Sequence, residues 1–124
     1  MNDLKSLKAL LAGLFLVGCT NNSIQYQTID AKKAKEMMAT QDVVIVDVRE
    51  ESEYQAGHIP GALLIPLSTI NAKNQQLPKS DQILLVYCRS GHRSQKAAQK
   101  FVKLGYEHVY DFGGILDWPY EIEK

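Results

Sequence analysis

Two nearly continuous apolar runs, VVIVDV (residues 43–48) and QILLVY (82–87), constrain the fold of this chain more than any other feature. A strand with one face in water alternates apolar and polar residues, whereas these runs predict strands that are buried on both faces. Helix-like patterns lie between and after them, so strands are expected to alternate with helices. That order indicates an α/β fold with a mainly parallel sheet between layers of helices.

Three shorter strands and several helices complete the prediction. The strands are YQTID (26–30), ALLIP (62–66) and HVYDF (108–112), which gives a sheet of about five strands. Helices are predicted over 31–40, 49–57, 67–77 and 94–105, and GGILDWPYEI (113–122) as a closing turn with a short helix. Asp30 and Ser68 are the expected N-caps of the first and third helices, and Gly57 and Gly105 the expected ends of the second and fourth.

The N-terminus has the features of a targeting segment. Lys5 and Lys8 precede an apolar run over residues 9–18. This run is shorter than the roughly 20 residues that a membrane-spanning helix needs, and it has the length and flanks of a signal-peptide core. An alternative is a buried helix with an incidental cysteine at its end.

The end of this segment, LVGC (16–19), resembles a bacterial lipobox, which implies cleavage before Cys19 and lipid on its thiol. We therefore expect a lipoprotein signal peptide over 1–18, a lipidated tether over 19–23 and one domain over 24–124. Lipid on Cys19 would hold the domain to a membrane surface without a spanning segment. The expected location is extracytoplasmic, and Thr20 resembles outer-membrane sorting signals of Gram-negative bacteria. An ordinary signal peptide is the alternative.

The composition narrows the range of partners. The 124 residues contain 14 basic and 14 acidic side chains, so no basic excess points to a nucleic acid. Three histidines and two cysteines are scattered along the chain and do not follow zinc-ligand spacing. No metal site is predicted.

Cys88 stands at the predicted carboxyl end of the second long strand, and the loop CRSGHR (88–93) leads into a helix. The first N–H groups of a helix lack intrahelical partners and attract anions. Gly91 permits a tight turn, and Arg89 and Arg93 add positive charge. These features favour a thiolate nucleophile. The alternative is a buried cysteine that simply ends a strand.

Three sequence blocks carry a resemblance to a known family. CRSGHR resembles the C-R-x-G-x-R loop of rhodanese-type sulfurtransferases, DVRE with EYQAGHIPGALLIP resembles their N-terminal block, and GGILDW resembles their C-terminal signature. The blocks occur in the family's order and span roughly residues 24–122. The resemblance implies a rhodanese-like three-layer sandwich that needs neither a metal nor an organic cofactor.

The resemblance also implies a mechanism. Cys88 would take a sulfane sulfur from a small anionic donor such as thiosulfate and pass it, as a persulfide, to a thiol or to cyanide. The backbone amides of the following loop residues would cradle the persulfide, and Arg89 and Arg93 would attract the donor; the loop consists of Arg89, Ser90, Gly91, His92 and Arg93. Asp47 and Arg49 are expected to form a supporting pair.

The sequence also has features that bear on other activities. Related phosphatases carry one residue more between cysteine and arginine, so the shorter loop favours sulfur over phosphoryl transfer. A non-catalytic rhodanese-like module that binds a partner or senses sulfur species is the principal alternative. His92 is either a substrate contact or a tolerated loop residue.

Overall fold

The computed structural model describes residues 25–124 and contains a sheet of five strands, each parallel to its neighbours. The strands are β1 (Gln27–Thr28), β2 (Val43–Asp47), β3 (Leu63–Leu64), β4 (Ile83–Cys88) and β5 (His108–Gly114). Their spatial order is β1-β5-β4-β2-β3, which puts β4 at the centre. The helices are α1 (Ala31–Thr40), α2 (Glu51–Ala56) and α3 (His92–Lys103), with 3-10 helices at Leu67–Thr69 and Ile115–Asp117.

Side chains on opposite faces of the sheet belong to two separate apolar clusters. Along β4, Leu84, Val86 and Cys88 join the cluster that includes Phe101 of α3. Leu85 and Tyr87 join the other cluster, which contains Ala34 and Met37 of α1. A sheet that is covered on both faces explains the continuous apolar runs in the sequence. The predicted three-layer α/β fold is therefore confirmed.

The two helices before β3 begin at side-chain caps. Asp30 caps α1, because its carboxylate accepts a 2.8 Å hydrogen bond from the Lys33 N–H. Glu50 and Glu53 form a capping box at the start of α2, which ends at Gly57 as predicted.

The prediction of a helix over residues 67–77 is wrong. Only the 3-10 helix Leu67–Thr69 forms, and turns follow it. Asn71 accepts a hydrogen bond from the Lys73 N–H, and Asn74 accepts one from the Gln76 N–H. These local bonds offer the backbone an alternative to a helix, which explains why the segment turns instead.

Other predicted boundaries also change. The strands predicted over 26–30 and 62–66 contract to two residues each. Helix α3 begins at His92 rather than at residue 94, so Arg93 lies in its first turn instead of in the loop. The shift matters, because it brings the first turn of α3 up to Cys88.

The predicted signal peptide (1–18), the tether (19–23) and the lipidation site Cys19 lie outside the described residues. Within residues 25–124, no helix combines the length and the apolar character needed to cross a membrane.

Candidate active site

Cys88 is the last residue of the central strand, and it is 1% exposed. The register between β4 and β5 shifts after Val86, so that Cys88 pairs with Gly114. The sulfur therefore lies at the carboxyl edge of the sheet, where loops meet in parallel α/β folds and where such folds bind ligands.

Two backbone N–H groups converge on the sulfur. The Gly91 N–H donates to Cys88 Sγ at 3.0 Å, and the Ser94 N–H donates at 3.3 Å. Gly91 is the N-cap of α3 and has no side chain to accept the free N–H groups of the first turn. The cysteine sulfur takes this place, and the positive end of the helix dipole faces it. The arrangement favours negative charge on sulfur.

Glycine is required at two points around this cradle. Gly91 has a φ of +108°, in the left-handed region that side-chain-bearing residues rarely adopt. A Cβ atom on Gly114 would lie 2.0 Å from the Arg89 carbonyl oxygen. Strand β5 can approach the loop this closely only without a side chain at residue 114. The same carbonyl accepts a 3.2 Å hydrogen bond from the Leu116 N–H, which ties the loop to the chain after β5.

Ser94 and Asp111 form buried hydrogen bonds that fix the N–H donors around the sulfur. The Ser94 hydroxyl donates to Asp111 Oδ1 at 2.7 Å, and the Gly113 N–H donates to the same oxygen at 2.9 Å. Ser94 is fully buried and Asp111 is 6% exposed. The carboxylate thus fixes the helix residue whose N–H reaches the sulfur.

Arg93 is bound to a glutamate on the neighbouring helix. Its Nη1 and Nη2 atoms donate to Glu53 Oε1 and Oε2 at 2.7 and 2.9 Å, a bidentate geometry. The hydrogen bond from Arg93 lowers the pKa of Glu53 to about 2, and the bond from Glu50 adds to the effect. The same pair raises the pKa of Arg93. Arg93 is therefore engaged with α2 rather than open to a ligand.

The remaining loop side chains face solvent. Arg89, Ser90 and His92 are all exposed, and in the described part of the chain Arg89 forms no ion pair. Of the two cations expected to attract an anionic donor, only Arg89 is thus unpaired within residues 25–124. It directly follows Cys88, and its exposed side chain puts a positive charge at the entrance to the loop, the point where the loop opens to solvent.

Asp47 and Arg49 form a buried network beside the site. The Arg49 side chain donates to both carboxylate oxygens of Asp47, at 3.0 Å from Nε to Oδ1 and 2.8 Å from Nη2 to Oδ2. It also donates to the Gly57 carbonyl at 2.8 Å. Tyr87 donates to Asp47 at 2.6 Å and accepts from the Ile59 N–H at 3.0 Å. Burial and the bond to Asp47 raise the pKa of Tyr87. The pair holds the chain between β2 and β3.

The contacts of His58 and Trp118 are with neighbouring residues of the fold, and His108 lies at a strand end. His58 Nδ1 lies 2.9 Å from the Tyr54 carbonyl oxygen, and the two rings stack at 3.7 Å. His108 is exposed at the start of β5. Trp118 packs against Phe112. Across residues 25–124, no three His, Cys, Asp or Glu side chains are arranged to hold a metal ion.

The sequence interpretation missed three residues of this site: Ser94, Asp111 and Glu53. Ser94 becomes visible only when α3 starts at His92, because the serine then occupies the third helical position. Glu53 carries a local signal, its position three residues after the capping Glu50. Its partner Arg93 is 40 positions away, so the pair itself has no local signature.

Comparison with known proteins gives consistent matches. The sequence model of the Rhodanese-like domain matches residues 30–120. A sulfurtransferase of Allochromatium vinosum is 38% identical over 92 residues, which cover 73% of this chain and 85% of that protein. The thiosulfate sulfurtransferase GlpE of Pseudoalteromonas translucida is 38% identical over 95 residues, or 75% and 89% of the two chains. Among solved structures, a rhodanese with anions from E. coli has 31% identity and a TM-score of 0.61, covering 67% of this chain and 99% of its own.

Proposed function

The chain belongs to the rhodanese family, and from that premise we propose that it is a sulfurtransferase working through a persulfide on Cys88. The observation that carries the proposal is the convergence of the Gly91 and Ser94 N–H groups on Cys88 Sγ, at 3.0 and 3.3 Å. These donors stabilise the thiolate before the reaction and the anionic persulfide after it.

The first half-reaction takes sulfur from a donor such as thiosulfate. The Cys88 thiolate attacks the outer sulfur of thiosulfate and forms a new S–S bond. The sulfur–sulfur bond of the donor breaks, and its electron pair leaves with sulfite. Charge balances without an oxidant, because a thiolate and a dianion become a persulfide anion and a dianion. Arg89, exposed at the mouth of the loop, attracts the anionic donor.

The second half-reaction passes the sulfur on. A thiolate or cyanide attacks the outer sulfur of the persulfide, and the S–S electron pair returns to Cys88 Sγ. Two contacts keep the Gly91 and Ser94 N–H groups in place during both half-reactions. The partly exposed Glu53–Arg93 pair joins the first turn of α3 to α2, and the buried Asp111 holds Ser94.

A thiosulfate and cyanide assay tests this proposal. Purified protein is mixed with both reagents, and thiocyanate is measured over time. We expect turnover by the intact protein and by Lys73→Gln, a control at an exposed loop residue, and none by Cys88→Ser with an unchanged circular dichroism spectrum. Equal thiocyanate from Cys88→Ser and the intact protein would reject the persulfide. Absence of turnover by the intact protein would favour the alternative role, a module that binds or senses sulfur anions.

We further propose that lipid on Cys19 anchors this domain to a bacterial membrane on its extracytoplasmic side. The lipobox-like LVGC (16–19) after a short apolar run supports this. Radiolabelled palmitate, supplied to bacteria expressing the full chain, should enter the protein but not Cys19→Ser. Equal labelling of both proteins would contradict the anchor at Cys19.

A further inference from the structure

Helix α3 carries a row of positive charge that starts at the mouth of the Cys88 loop. Its twelve residues include Arg93, Lys96, Lys100 and Lys103 and contain no aspartate or glutamate. The whole chain, by contrast, has equal numbers of basic and acidic residues. The helix whose N-terminus faces the reactive sulfur thus carries basic residues without any acidic residue to offset them, whereas α1 combines three lysines with Glu36.

Three of these side chains form one exposed stripe. Lys96, Lys100 and Lys103 are spaced by four and three residues, which places them on the same side of a helix. His92, one turn before Lys96, lies on the same side of the helix and next to the loop. The opposite side of α3 is buried through Ser94, Ala97, Ala98 and Phe101. We call Lys96, Lys100 and Lys103 the basic stripe.

The basic stripe is not neutralised locally. Within residues 25–124, none of its three lysines forms an ion pair, although Lys100 Nζ donates to the Leu67 carbonyl at 3.3 Å. Lys100 and Lys103 lie in the last turn, where cations stabilise a helix. Lys96 lies outside that turn, so helix stability does not account for the whole stripe.

The length of the stripe exceeds what a small sulfur anion needs. From Lys96 to Lys103 the stripe extends roughly 10 Å along the helix, at about 1.5 Å per residue, and its far end lies roughly 16 Å from His92, the first residue of the helix. Thiosulfate bound at Cys88 would lie beside Arg89 and the helix N-terminus, and the distal lysines would be beyond its reach. A row of cations that leads to the reactive loop instead suits a partner large enough to contact both.

Resting on the sulfurtransferase function proposed above, we propose that the basic stripe docks an acidic protein whose thiol takes the sulfur from Cys88. The partner's carboxylates lie along α3, and its thiolate enters at the loop mouth. That thiolate attacks the outer persulfide sulfur, the S–S electron pair returns to Sγ, and the partner leaves as the persulfide. Complementary charge accelerates the encounter and orients the partner.

A protein fits this surface better than a membrane does. The exposed residues of α3 are all polar or charged: His92, Gln95, Lys96, Gln99, Lys100 and Lys103. An interfacial helix needs an exposed apolar face that can enter the lipid. The apolar face of α3 is instead buried in the protein core.

The test uses the full chain, loaded with sulfur by thiosulfate, and two peptide acceptors. One is a cysteine-bearing polyglutamate peptide, and the other is its polyglutamine counterpart of equal length. We expect kcat/KM for the acidic peptide to be about tenfold higher at low salt, and the advantage to disappear at high salt. Equal values for the two peptides at low salt would overturn the proposal.

Matched triple variants locate the effect. Lys96→Gln with Lys100→Gln and Lys103→Gln should abolish the preference for the acidic peptide. Lys32→Gln with Lys33→Gln and Lys35→Gln removes the same charge from α1, on the other face of the sheet, and should keep the preference. Retained preference in the α3 variant, or equal loss in the α1 variant, would overturn the proposal.

Two further measurements separate the possible failures. Thiocyanate formation from thiosulfate and cyanide should be unchanged in both triple variants, because cyanide needs no docking surface. Loss of that reaction in the intact chain would reject the sulfurtransferase function, whereas a missing peptide preference alone rejects the docking surface. Competition by phosphatidylglycerol vesicles that is lost in the α3 variant would assign the stripe to a membrane and overturn the proposal.

Discussion

Two carboxylate–guanidinium pairs stand near the carboxyl edge of the sheet, and they differ in burial and in what they hold. The Asp47 and Arg49 side chains are 0% and 6% exposed, whereas Glu53 and Arg93 are 28% and 33% exposed. The first pair bonds to Tyr87 and to the backbone at Gly57. The second joins the first turn of α3 to α2, beside the reactive loop.

This difference in burial indicates that the Asp47–Arg49 pair stabilises the fold, whereas the Glu53–Arg93 pair positions groups of the active site. A buried pair has given up hydration, so each partner needs the other, and breaking the pair leaves an uncompensated charge. A partly exposed pair can be replaced by water at small cost in stability. Arg93, however, belongs to the helix turn that supplies the Ser94 N–H to the sulfur. Loss of the first pair should therefore lower the free energy of unfolding, and loss of the second should mainly lower activity.

The largest effect is expected from Asp47→Ala. It leaves the Arg49 guanidinium buried without its carboxylate and should cost about 3–5 kcal/mol in the free energy of unfolding. Urea denaturation measures the loss. The double variant Asp47→Ala with Arg49→Ala is the control and should recover part of it. An inactive Asp47→Ala protein of normal stability would instead place this pair in the chemistry.

Arg93→Gln should have the opposite effect to Asp47→Ala, with a small loss of stability and a large loss of activity. Because the pair is partly exposed, the cost in unfolding free energy should be only about 1 kcal/mol. The loss of the clamp on the α3 turn should lower kcat for thiosulfate and cyanide by about tenfold or more. Arg93→Lys keeps the charge without the fork and should also lose activity. Full activity in both variants would show that the clamp is dispensable.

Acid should weaken the same pair in a defined range. The pKa of Glu53 falls from 4.5 to about 2 on folding, so the pair contributes its full stability above pH 4.5. The contribution is lost as the pH falls from 4.5 toward 2, and it amounts to about 1–2 kcal/mol after allowance for partial exposure. Unfolding free energy measured against pH should be flatter for Glu53→Gln. Identical curves would contradict the pairing in solution.

The smallest effect in stability is expected from Arg89→Gln. The side chain is exposed and has no ion-pair partner in the described region, so stability should change by less than about 0.5 kcal/mol. The KM for thiosulfate should rise a few-fold at low salt and approach that of the intact protein at high salt. A KM that does not change would remove Arg89 from donor attraction.

The sheet and the position of Cys88 could be predicted because both depend on local patterns. Residues 43–48 and 82–87 are apolar apart from Asp47 and Gln82, and a strand that is buried on both faces requires such a run. Cys88 follows the second run directly and precedes a helical pattern. These features sufficed to place the thiol at the edge of the sheet beside a helix N-terminus.

Other parts could not be predicted because they depend on competition or on distant contacts. Asn71 and Asn74 divert residues 67–77 from a helix through bonds whose strength composition does not reveal. The contacts of Glu53 with Arg93 and of Ser94 with Asp111 join residues 40 and 17 positions apart. The sequence alone therefore predicts that Arg93 attracts the donor, whereas in the fold its guanidinium is bonded to Glu53.

Mass spectrometry of the protein after exposure to thiosulfate shows directly whether Cys88 carries sulfur. We expect the intact chain to gain one sulfur atom, the sulfur to map to the peptide that contains Cys88, and cyanide to remove it. Cys88→Ser should gain none. An intact protein that stays free of added sulfur, or one that carries it elsewhere, would contradict a sulfur-carrying role for Cys88.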